Sequence, residues 1–155
     1  MRGKITAVLI VTVHLLVVLA HGKAHSQLHI QPNIWQGTFI AVVIVVGPVV
    51  AMALLWMRLR RIGFVLLSIT MAGSLAFGVA YHFLVPGSDN AVELHIGHWE
   101  SLFRTTAIWL AVIAAGAITW IAWALKTEQA GICAAARRRH VAHRPEARDR
   151  CCRDR

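Results

Sequence analysis

Carboxylates are scarce in this chain. Its 155 residues hold seven Asp and Glu against sixteen Lys and Arg, with 15% charged and 57% hydrophobic residues overall. A soluble domain carries about 25% charged residues, so an ordinary water-soluble globule is excluded. Cysteine is equally thin: Cys133, Cys151 and Cys152 all lie near the C-terminus. That leaves no disulfide framework and no CxxC pair for zinc. No glycine-rich loop is long enough to cradle a phosphate, since Gly87-Ser88 is too short, and nucleotides are set aside. Ser26, Ser88 and Ser101 stand in no nucleophile-elbow context, so Ser/His/Asp catalysis is set aside too.

What the chain has instead is long apolar runs. They cover residues 5–21, 37–57, 62–85 and 105–125. Each is near the ~20 residues a helix needs to cross a ~30 Å hydrocarbon core. The expected fold is an all-α membrane protein, a four-transmembrane-helix bundle over residues 1–126. A basic tail over residues 127–155 is expected to be disordered, because it lacks apolar periodicity after Cys133 and is rich in Arg.

The positive charge is distributed as topology requires. Arg2 and Lys4 precede the first run, Arg58, Arg60 and Arg61 join the second to the third, and Lys126 with Arg137, Arg138 and Arg139 follows the fourth. By the positive-inside rule both termini are cytoplasmic and the protein is multi-pass in the inner or plasma membrane. The same placement argues against nucleic acid as the partner. The lipid bilayer is the expected partner, with a second copy or another membrane protein beside it. Trp35 and Trp99 mark the outer interface, and Trp56, Trp120 and Trp123 the inner one, where indole suits headgroup depth. Residues 1–24 also read as a signal peptide. His14, a polar group in the middle of that run, argues for a retained helix.

Local signals set the details. Nothing but Gly22 interrupts a helix from Ile5 to Ile30, and Pro32 stops it. Gly47-Pro48 kinks the second span and frees a carbonyl for a neighbour to satisfy. Small residues at four-residue spacing, Ala72, Ala76 and Ala80 in the third span and Ala107, Ala111 and Ala115 in the fourth, offer close helix packing. The cluster Pro86-Gly87-Ser88-Asp89-Asn90 ends the third span, and a short amphipathic outer helix over residues 92–101 follows.

The histidines carry the chemistry. His21, His25 and His29 recur every four residues and share one helical face. His82 ends the third span, and His95 and His98 are three apart. All six fall on the outer side, with Asp89, Glu93 and Glu100 among them. Neutral imidazole is the commonest protein ligand for transition metals. His21, His25 and His82 form a three-ligand set, with His29, His95 and His98 as further candidates. Asp89, Glu93 and Glu100 would orient the rings through their second nitrogens. Copper, then zinc, is favoured by the affinity order. Haem is the weaker expectation, because no second histidine matches the depth of His14. His14 itself is expected to face the bundle, bonded to Thr70, Ser74 or a backbone carbonyl.

The expected role is metal handling, sensing or electron transfer rather than catalysis. A membrane oxidoreductase subunit with haem or a di-metal site is the first alternative. The chain resembles membrane di-iron enzymes in its His pairs alone, and lacks any His-His pair. A small proton- or cation-conducting or assembly-partner protein without metal is the second alternative.

Overall fold

The computed structural model of the chain describes residues 2–57, 59–87, 89–91 and 97–143, with side chains described except at residues 2, 128–129 and 132–143. Among them all regular structure is helical. Four helices are long and apolar enough to cross a membrane. We label them α1 (Arg2–Gln27), α2 (Ile34–Trp56) and α3 (Arg60–Leu84), and α4 (His98–His143). Contacts divide the chain into Met1–Thr119 and Trp120–Arg155. The first unit holds three complete helices and the first part of α4. The described part of the second unit is the rest of α4, a single helix to His143.

α1 stops earlier than the sequence suggests, and its end is well defined. His29 takes a left-handed backbone, φ 55°. The Ile30 N–H bonds the His25 carbonyl at 3.1 Å and the His29 N–H bonds that of Ser26 at 3.4 Å. These are the two bonds of a Schellman stop, with histidine where glycine is usual. Its accompanying apolar contact is present as well: Ile30 is buried with Ala24, Ala91 and Phe103. α2 then starts at a capping box. Asn33 Oδ1 accepts from the Gln36 N–H at 2.9 Å, and Gln36 Oε1 accepts from the Asn33 N–H at 2.8 Å.

α2 and α3 both depart from regular α-helix. Residues Ile40–Val46 are π-helical, immediately before Gly47-Pro48. In an α-helix the N–H of residue 48 would bond the Ile44 carbonyl, and proline has none. His14 Nε2 lies 3.3 Å from that carbonyl oxygen and donates to it. The neighbour expected to satisfy the freed carbonyl is therefore His14. At the end of α3, Ala80–Leu84 are also π-helical. Such a turn inserts an extra residue and re-aims the side chains in it, and His82 sits inside it, buried.

α2 and α3 pack closely through glycine. A Cβ at Gly47 would collide with Thr70, and one at Gly63 would lie 2.9 Å from Leu55 Cγ. Phe64, Leu67 and Met71 fill the α3 side of this seam and Ala51 and Leu55 the α2 side. The alanine row Ala72 and Ala76 is exposed rather than packed. In α4 the buried small residues are Ala107, Ala114 and Ala117, while Ala115 is exposed. Lys4 Nζ reaches the Trp56 carbonyl at 3.5 Å, so α1 and α2 run antiparallel with their basic and indole ends together. Leu9, Leu16, Leu19 and Ile69 face outward, as lipid-contacting surface does.

Two expectations about the polar segments are corrected. Residues 98–101 are the first turn of α4, not part of a separate outer helix; residues 92–96 lie outside the described residues. Residues 127–143 continue α4 instead of forming a disordered segment. The physical reason is composition: Glu, Gln, Ala and Arg are all strong helix formers, so the segment needs no apolar face to stay helical.

Candidate metal centre

The site lies where α1 and α3 finish and α4 begins. His21 and His25 are one turn apart on α1, His82 comes from the π-turn of α3, and Thr106 and Phe103 come from the first turns of α4. One ring nitrogen from each of His21, His25 and His82 lies within 4.8 Å of one from each of the others. His21 is 7% exposed and His82 is 6% exposed.

The partners of the rings decide which nitrogen is available. His21 Nδ1 is 2.8 Å from Thr106 Oγ1. That hydroxyl donates its own hydrogen to the Leu102 carbonyl at 2.7 Å, with the Phe103 carbonyl at 3.0 Å. When it does so its oxygen accepts, and His21 Nδ1 carries the proton. His82 Nδ1 is 3.1 Å from the Asp89 carbonyl oxygen, another pure acceptor. His25 Nδ1 faces the Ile30 carbonyl at 3.4 Å and Asp89 Oδ1 at 3.5 Å. His25 and His82 face only acceptors at Nδ1 and so present Nε2 as the lone-pair nitrogen, and His21 does the same whenever Thr106 donates to a carbonyl.

Two of those lone pairs meet. His21 Nε2 and His82 Nε2 are 3.2 Å apart. With both protons on Nδ1 neither has one to give, and a cation between them relieves the repulsion; with Thr106 donating to His21 Nδ1 the same contact is a hydrogen bond from His21 Nε2 to His82 Nε2. Two nitrogens bound to one tetrahedral ion at about 2.0–2.1 Å stand about 3.3 Å apart. The observed separation is thus that of two ligands on one ion. Locked Nδ1–H groups are also what orients a metal-bound imidazole.

A single aromatic side chain sets the ring positions. Phe103 is fully buried, and its ring centroid is 4.7 Å from that of His21, 4.9 Å from His25 and 5.1 Å from His82. The loop before α4 is tied down around it. Ala91 N–H bonds the His82 carbonyl at 2.9 Å, Arg104 Nε bonds the Ala91 carbonyl at 3.0 Å, and Asn90 Nδ2 bonds the Val85 carbonyl at 3.2 Å.

The remaining candidates are placed as follows. His29 is exposed, its left-handed backbone taking it off the row of His21 and His25. His98 is exposed and stacks edge-on against Trp99 at 5.1 Å. Glu100 folds back onto Gly97 in the first turn of α4. His95 and Glu93 lie outside the described residues. His14 is fully buried and, apart from its bond to Ile44, its Nδ1 has no partner among the described residues. Thr106 and Phe103 were not anticipated. Their only trace is that Thr106 is polar, at the head of an apolar run.

Beside the three rings, a cavity of about 50 Å³ lies among the helices. His25, His82 and Asp89 border it, and Ile40, Ile44, Phe77 and Leu110 wall its apolar part.

Fold and site together define an all-helical protein with four helices suited to a membrane and a three-imidazole group able to hold a metal ion. Comparison with protein-family models, with curated proteins and with solved structures finds no match. The class therefore rests on the geometry of the chain itself.

Proposed function

We propose that this is a small integral membrane protein that binds copper or zinc through His21, His25 and His82, serving metal handling, sensing or electron transfer. The observation that carries the reading is the meeting of three imidazoles within 4.8 Å of one another, with His21 Nε2 and His82 Nε2 at 3.2 Å. Three imidazoles suit copper and zinc, and no thiolate joins them among the described residues. Asp89 supports the set by facing His25 Nδ1, a carboxylate–histidine–metal arrangement. His29 and His98, both exposed, are assigned no part in coordination.

The haem alternative is not favoured, because rings 3.2 Å apart at their lone-pair nitrogens leave no space for a macrocycle between them. The test is metal analysis by mass spectrometry of protein purified in detergent. One equivalent of copper or zinc is expected, and the joint replacement of His21, His25 and His82 by Ala should abolish it. Wild-type protein that is empty and takes up neither ion when offered overturns the reading.

A further inference from the structure

A metal held by three imidazoles has one tetrahedral position unclaimed, and sites of that kind are the reactive ones. Among the described residues no fourth His, Cys, Asp or Glu joins the group. The space next to the ligands is the cavity of about 50 Å³, which both His25 and His82 border. It runs from Pro32 and Gln36 inward to Phe77, Gly78 and Ala111. Resting on the metal reading above, we propose that the ion keeps an open position facing this cavity, and that a small uncharged ligand of two or three atoms reaches the ion through it.

Size and polarity set the ligand class. A water needs about 10–15 Å³ of such space, so the cavity of about 50 Å³ has room for a diatomic or triatomic molecule. Its walls are mainly aliphatic and aromatic. An anion would lose its hydration there with only Gln36 and Ser74 as neutral side-chain donors in the wall. The one carboxylate in the wall is Asp89, whose Oδ1 is buried without a hydrogen-bond partner among the described residues. It repels a second negative charge. An uncharged molecule meets neither penalty.

Gly78 provides the means to close the route. A Cβ there would meet no atom within 4 Å, although the residue borders the cavity. Gly78→Leu should therefore fill the cavity without disturbing the imidazoles, and Ala111→Phe fills it from α4. The probe is carbon monoxide added to the copper(I)-loaded, detergent-solubilised protein, read as the infrared C–O stretch. Wild type should give one carbonyl band per copper. Gly78→Leu should keep its copper and lose at least about nine-tenths of the band, and Ala111→Phe should repeat the result.

Each other outcome is decisive. Wild type that takes no metal defeats the metal reading itself. Wild type that binds copper but gives no carbonyl band shows a closed site and defeats this inference alone. A band of full strength in a copper-loaded cavity-filling variant shows that the ligand arrives elsewhere. Azide on the cobalt(II)-loaded wild type provides a measurement free of any substitution. No change in its visible spectrum is expected at millimolar azide, and a change at micromolar azide overturns the choice of an uncharged ligand.

Discussion

His21 Nε2 and His82 Nε2 stand 3.2 Å apart, with His21 Nδ1 on the Thr106 hydroxyl and His82 Nδ1 on the Asp89 carbonyl. Residues 61 positions apart in the chain thus bring two imidazole nitrogens to the spacing of two ligands on one ion. The π-turn at Ala80–Leu84 aims one ring and Thr106 turns the other.

The Thr106 hydroxyl is the clearest point of attack. Thr106→Val keeps the shape and removes the acceptor for His21 Nδ1–H, so the ring is free to take the wrong tautomer. Loss of such a partner costs about 10–100-fold in metal affinity. Competition with a chromophoric chelator will measure it. Thr106→Ser, which restores the oxygen, should recover most of the loss.

His82 and His29 should behave oppositely. His82→Ala removes one of three ligands and should weaken binding by more than the about 10–100-fold typical of a supporting residue. His29→Ala should leave affinity unchanged, because that residue is exposed and off the row. Equal losses in the same chelator competition would show that the left-handed turn is not maintained.

Metal and protons compete for the same three Nε2 lone pairs. Binding therefore releases protons from any ring that was charged, and affinity should fall on acidification. The sign follows from mass action: protonated rings cannot ligate, so affinity is full in the neutral form and lost on acidification. Calorimetry in buffers of different ionisation enthalpy will count the protons. Metal at about 100 times its dissociation constant should also stabilise the fold by about 2.7 kcal/mol, raising the melting temperature relative to chelator-treated protein.

His14 and Pro48 form a testable pair. His14→Leu removes the donor to the Ile44 carbonyl and should cost about 0.6–1.7 kcal/mol, the range for hydrogen bonds between membrane helices. Pro48→Ala supplies a backbone N–H at the position that proline leaves without one. In that background His14→Leu should cost less, and a double-mutant cycle of unfolding in mixed micelles will show the coupling.

Much of the fold was legible in the order of residues. Four apolar runs of span length gave four helices, because an isolated backbone in hydrocarbon must satisfy its own hydrogen bonds. The carbonyl left without a donor by Pro48 was legible too, and so was the kind of partner that His14 would find. Less visible was where helices end. His29 was read as one more turn of α1, since histidine in left-handed conformation gives no signal comparable to glycine. The alanine rows misled for a related reason: spacing shows that Ala72 and Ala76 share a face, and it does not say which face the neighbours cover. Helix through residues 127–143 was missed because apolar periodicity was the signal sought, and propensity alone sustained it.

The metal centre divides along the same line. Residue order alone determined that imidazoles gather toward one end of an all-helical, membrane-suited chain, and it singled out His21, His25 and His82 as a trio. Tertiary structure decided which nitrogen of each ring is free, which histidines stand aside, and that Phe103 packs against all three. Ring orientation depends on acceptors brought from Ile30, Asp89 and Thr106, which are remote in the chain or reach the rings through tight turns. Spacing along a helix fixes which side chains share a face, but only contact between helices fixes how a ring is turned.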